Sequence, residues 1–100
     1  ELDRFLREAL EQNDFRLAVR IYYLMAIKEL AQRKFIHWKK EKTNFDYLSE
    51  LGEGTSYHGF KEITLIFERV WYGELAINEQ LFAEMSRPFK YFITSVKSVS

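Results

Sequence analysis

Apolar residues recur every three or four positions along almost the whole chain, and no stretch alternates strictly between apolar and polar. The sequence therefore predicts an all-α fold. A first short helix is expected over Leu2 to Gln12, burying Leu2, Phe5, Leu6, Ala9 and Leu10, until Asn13 and Asp14 interrupt it. Asp14 is placed to cap a second helix reaching about Arg33, since its carboxylate can accept first-turn amides and suits the positive end of the helix dipole. Leu17, Ala18, Ile21, Tyr22, Leu24, Met25, Ile27 and Leu30 cover more than one face of that helix, which predicts a central element with neighbours on two sides. Arg16, Arg20 and Lys28 must then snorkel or pair.

Phe35, Ile36 and Trp38 follow in an extended connection and are expected to lid the bundle, with Lys34, Lys39, Lys40 and Lys42 keeping its outside wet. Thr43 with Asp46 three residues on has the spacing of a capping box, opening a third helix to about Leu51 with Phe45, Leu48 and Leu51 inward. Gly52 to Ser56 reads as a loop, with Ser56 or Thr55 available to cap a fourth helix from near Tyr57. Tyr57, Phe60, Thr64, Phe67 and Trp71 form the stripe of that helix, widened by Ile63, Ile66 and Val70, and Gly73 is placed to stop it in a left-handed conformation. Asn78 caps a fifth helix that buries Phe82, Met85, Phe89, Phe92 and Val96; Pro88 predicts a kink or break unless tertiary contacts hold it, and Lys97 to Ser100 should fray. The expectation is a single domain over residues 1–100, a compact bundle of about five helices around a long central one. Asp14 to Leu30 resembles half of a tetratricopeptide-type hairpin, but the second copy a solenoid needs is absent.

Composition narrows the chemistry. Nine Phe, six Tyr and two Trp in 100 residues predict a core rich in large rings. Fifteen basic and fifteen acidic side chains cancel, so no overall field draws the molecule to nucleic acid or anionic lipid. The charge is nevertheless uneven. From Lys28 to Lys42 six bases face two acids, a net +4, whereas Thr43 to Ser86 carries eight acids against two bases, a net −6. Without cysteine there is no disulfide, thiolate ligand or thiol nucleophile, which suits a reducing compartment. His37 and His58 lack the spacing that would set two metal ligands on one helix face, so no metal and no cofactor is expected. Gly-rich phosphate loops and nucleophile elbows are missing as well. Glu68 as a general acid or base would stand alone; a partly buried ion pair with Arg20, joining the second and fourth helices, is the expectation for both residues.

Three segments occur in an order that matches a known family: Asp14 to Ile36 (DFRLAVRIYYLMAIKELAQRKFI), then KTNFDYL from Lys42 to Leu48, then FERVWYG from Phe67 to Gly73. The chain thereby resembles the protein-glutamine gamma-glutamyltransferase-like C-terminal domain family, a domain of unknown function at the end of bacterial transglutaminase-like membrane proteins and membrane-anchored relatives. The residues that carry the resemblance are Arg20, Lys42, Thr43, Asn44, Tyr47, Leu48, Phe67, Glu68, Trp71, Tyr72 and Gly73. Gly52 to Phe60 matches no family pattern.

The resemblance implies an all-helical domain at the cytoplasmic face of the bacterial inner membrane, tethered by an upstream transmembrane segment. It implies no catalytic residue in this domain and points to MoxR-type AAA+ ATPases as partners. A chain opening on Glu1 without a start methionine or signal peptide reads as a piece of such a protein. The expected function is a non-enzymatic protein-interaction module. Its candidate surface is Arg33, Lys34, Lys39, Lys40 and Lys42, which would also suit an anionic membrane. The alternative is nucleic-acid binding through Lys34 to Lys42, with Phe35 and Trp38 stacking on bases. Against it, the helix after the basic segment is acidic, unlike a recognition helix. A small-molecule site is a third reading, with no ligand indicated.

Overall fold

Three helices start on a side chain that takes up an orphan backbone amide. In the computed structural model, which describes residues 1–99, α1 spans Leu2–Glu11, α2 Phe15–Gln32, α3 Asn44–Leu51, α4 Thr55–Trp71 and α5 Glu79–Ser98, and no strand occurs among the described residues. The Asp14 carboxylate accepts the Leu17 N–H at 3.2 Å, and the Asn78 side chain accepts that of Leu81 at 2.8 Å. Thr43 and Asp46 complete the capping box, the Thr43 hydroxyl accepting from Asp46 N–H at 3.2 Å and the Asp46 carboxylate from Thr43 N–H at 2.8 Å. α4 differs: it starts at Thr55, two residues before the expected Tyr57, with Gly54 and not Ser56 at the N-cap. A cap by the Thr55 side chain lies outside what the structure describes.

α1 and α2 both end in complete Schellman motifs, each built on a left-handed residue other than glycine. Asn13 (φ 56°) and Asp14 donate to Leu10 and Ala9; Lys34 (φ 62°) and Phe35 donate to Ala31 and Leu30. α4 stops in another way. The left-handed residue is Glu74 (φ 54°), whereas Gly73 keeps a negative φ, which corrects the sequence expectation. Gly73 is needed for space instead, because a Cβ there would lie 2.6 Å from the Arg69 carbonyl oxygen.

α2 is the hub, touching α1, α4 and α5, while α3 packs on α4. Its directions follow from its partners. Phe15 stacks on Phe82 at 5.1 Å and Tyr22 on Phe89 at 6.0 Å, so α2 runs parallel to α5. Tyr23 stacks between Phe60 (5.5 Å) and Phe67 (4.5 Å) while Arg16 reaches Trp71, so α4 runs antiparallel to α2. Burying such rings is the main apolar contribution of the fold. Tyr23 is buried at the centre, its hydroxyl 2.8 Å from Thr64 Oγ, whose own proton goes to the Phe60 carbonyl at 2.7 Å. The Tyr23 hydroxyl is therefore the donor of the pair. Burial pushes that hydroxyl above the usual tyrosine range.

α5 passes unbroken through Pro88, held on either side by the buried Ser86 and Phe89. Lys97 and Ser98 are helical rather than frayed, and the Arg33 guanidinium donates to the carbonyls of Lys97 and Val99; Ser100 lies outside the described residues. Several expected core positions are on the surface. Phe5, Leu17, Leu24 and Phe45 are exposed, as is Trp38, so of the expected lid Ile36 is buried and Phe35 half-buried. Nothing among α1 to α5 covers the outer sides of α1 and α2, and helical spacing alone does not distinguish a covered stripe from an open one.

Candidate interaction site

The signature segments meet in space. Asn44 Nδ2, in the first turn of α3, donates to Glu68 Oε2 on α4 at 2.8 Å, which ties KTNFDYL to FERVWYG. Tyr47 is buried, and its hydroxyl donates to the Lys39 carbonyl at 3.0 Å while accepting the Lys39 N–H at 3.3 Å, so the connection between α2 and α3 is fixed to α3. Leu48 is buried beside it, and Phe67 sits under Tyr23. Tyr72 is exposed, edge-on to Phe67 at 6.1 Å.

The expected Arg20–Glu68 pair does not form. Glu68 is taken by Asn44, and the Arg20 guanidinium lies 4.7 Å from the centre of the Trp71 ring instead. Arg16, one turn earlier on α2, stacks on the same ring at 3.9 Å and donates to the Trp71 carbonyl at 2.7 Å. Delocalised guanidinium ions lose less hydration on an indole face than in a buried pair, so an arginine-tryptophan stack is the cheaper way to hold these cations. The sequence carries the two arginines and the tryptophan but no signal that joins positions 55 residues apart.

The basic candidate surface divides in two. Arg33 is committed to the end of α5 and to Glu29 at 3.4 Å. Lys42 Nζ bonds the His37 carbonyl and Glu50 Oε2, both at 2.8 Å, so it clasps the connection to α3 rather than presenting free charge. Lys34, Lys39 and Lys40 are exposed and have no ion-pair partner among the described residues. The Lys42 ammonium and the His37 N–H hold the Glu50 carboxyl below its ordinary range. A lowered carboxylate value means that this clasp is complete above the unfolded value and is lost as pH falls through the folded one. Exchange of the His37 amide should therefore accelerate relative to the buried core as pH falls below the ordinary glutamate range, and should be faster than in the parent at neutral pH in Glu50→Ala.

The outer side of α1 and α2 holds the feature that sequence reasoning missed. Leu2, Phe5, Glu8 and Ala9 of α1, Gln12 just after it, and Leu17, Ile21 and Leu24 of α2 line a depression of about 380 Å³. A second, of about 470 Å³, runs on from it, lined by Leu2, Leu24, Ile27, Lys28, Ala31 and Trp38. The two share Leu2 and Leu24 and make one apolar furrow along the outside of the α1–α2 hairpin. Four large side chains remain open to solvent in it, Phe5 (42% exposed), Leu17 (36%), Leu24 (39%) and Trp38 (60%). A continuous exposed apolar strip of this kind marks a binding surface more often than scattered residues do. The available signal was the excess of apolar positions on α1 and α2 over what two neighbours require.

No family model, no curated protein and no solved structure matches the chain. The family resemblance consequently rests on the three segments themselves. Among the described residues no cluster of three His, Asp or Glu side chains is placed to hold a metal ion, and no helix is long and apolar enough to cross a membrane.

Proposed function

We propose that this domain is a non-catalytic protein-interaction module, carried on the cytoplasmic side of a bacterial inner-membrane protein and docking a MoxR-type AAA+ ATPase. The open apolar furrow of α1 and α2, with Phe5, Leu17, Leu24 and Trp38 left to solvent, is the observation that carries the reading. Leaving four such side chains uncovered costs stability that a partner's contacts restore. The membrane setting and the ATPase come from the resemblance in Asp14 to Ile36, KTNFDYL and FERVWYG. Lys28 lines one end of the furrow, and the exposed Lys34, Lys39 and Lys40, which neighbour Trp38 in sequence, favour an acidic partner surface.

Sedimentation velocity of the domain mixed with a purified MoxR-type ATPase of the same organism is the test. A complex is expected at micromolar concentrations, at least tenfold weaker with Leu24→Asp. No complex at 100-fold higher concentration would defeat the assignment of the ATPase.

A further inference from the structure

The walls of the furrow share a period. On α2, Leu17, Ile21, Leu24, Lys28 and Ala31 follow one another at steps of four, three, four and three. Along α1 and its C-cap, Leu2, Phe5, Ala9 and Gln12 follow at three, four and three. Such steps average 3.5 residues, the period at which packed helices keep the same faces together, knobs into holes. From Leu17 to Ala31 the wall is about 21 Å long, some four turns. Both walls therefore offer a third helix the register of a three-helix coiled coil.

On the α2 wall one position breaks the apolar run. Lys28 occupies a seam position on α2, is exposed, and has no ion-pair partner among the described residues. A lysine in such a seam sets register and demands an opposite charge across it. The far end of the furrow carries Glu8 and no base, so its two ends differ in charge.

We propose that the furrow between α1 and α2 receives one amphipathic helix of a partner protein, with an acidic side chain set opposite Lys28. This deepens the interaction-module reading and rests on it. A second copy of this chain fits less well, because two α2 helices crossing antiparallel about Leu24 would set Lys28 against Ile21 and leave it unpaired. A bilayer surface fits less well too, since the apolar residues line a recess between two helices rather than a projecting edge.

The test uses a synthetic 21-residue helical peptide with leucines at 3.5-residue spacing and glutamate at the seam position facing Lys28, together with its glutamate-to-lysine counterpart. The glutamate peptide should shift the amide resonances of Leu2, Leu24 and Trp38 and bind at least tenfold tighter than the lysine peptide. Lys28→Glu should reverse that order, an outcome that non-specific apolar association would not give. Equal affinities, or shifts lying elsewhere on the domain, would overturn the assignment. So would dimerisation abolished by Leu24→Asp, or phosphatidylglycerol vesicles that bury Trp38 while neither peptide binds. An ATPase complex that survives both Leu24→Asp and Lys28→Glu would sink the furrow but leave the interaction module standing. Peptide binding as expected without any ATPase complex would instead remove the ATPase and keep the furrow.

Discussion

Tyr23→Ala is expected to cost about 3–5 kcal/mol, the range for removing a large buried ring. A small domain holds about 5–15 kcal/mol in total, so this one change should leave the protein at the edge of unfolding at room temperature. The ring lies between Phe60 and Phe67, joining α2 to both halves of α4, and little around it can move in to fill the void. Tyr23→Phe separates the ring from its hydroxyl. Thr64 still donates to the Phe60 carbonyl, so the loss is one acceptor interaction, about 1 kcal/mol. Urea unfolding of the two variants measures the difference. Equal losses would mean that the hydroxyl, not the stack, holds the two helices.

Gly59→Val should destabilise by about 1–3 kcal/mol even though valine is the better helix former. A Cβ at Gly59 would lie 2.8 Å from Cδ1 of Phe92, and that ring is buried and backed by Phe60 at 5.9 Å. The crossing of α4 and α5 is set by this absence of a side chain. Phe92→Leu alone should also destabilise, yet the double variant should lose less than the two added together, because the smaller side chain makes room for the new methyl groups. Thermal unfolding of the four proteins in the cycle gives the coupling. Strict additivity would show that the contact between Gly59 and Phe92 does not govern the approach.

What could be read from residues alone was what neighbours in sequence decide. Asp14, Thr43 and Asn78 cap their helices because each side chain needs only the amides two or three residues ahead of it. The stripes of α4 and α5 were also legible: Phe60, Thr64 and Phe67, and Phe82, Phe89, Phe92 and Val96, are buried as their spacing requires. The spacing points to Tyr22, yet Tyr23 is buried deeper, and Val19, Tyr23, Ala26 and Leu30 make a buried stripe of their own. A helix apolar on most sides gives the pattern several equally good phases, and sequence alone does not rank them. The expected Arg20–Glu68 pair gives way to Asn44 on Glu68 and Trp71 under Arg20. Pairing by charge is the simplest rule, and it fails where an amide or an indole stands closer. The furrow escaped for the opposite reason to the caps: whether Leu17 and Leu24 are covered depends on elements elsewhere in the chain.

The parallel run of α2 and α5 also bears on how the chain leaves the ribosome. Sixty-six residues separate Arg33 from Val99, which it holds. At about 5–20 residues per second, the central helix waits roughly 3–13 s between its own emergence and the arrival of its last partner. During that interval the face of α2 meant for α5 is bare beside a furrow that stays bare, so the nascent chain presents apolar surface on its central helix early. Bare apolar surface of this kind is what makes an incomplete domain prone to association during synthesis.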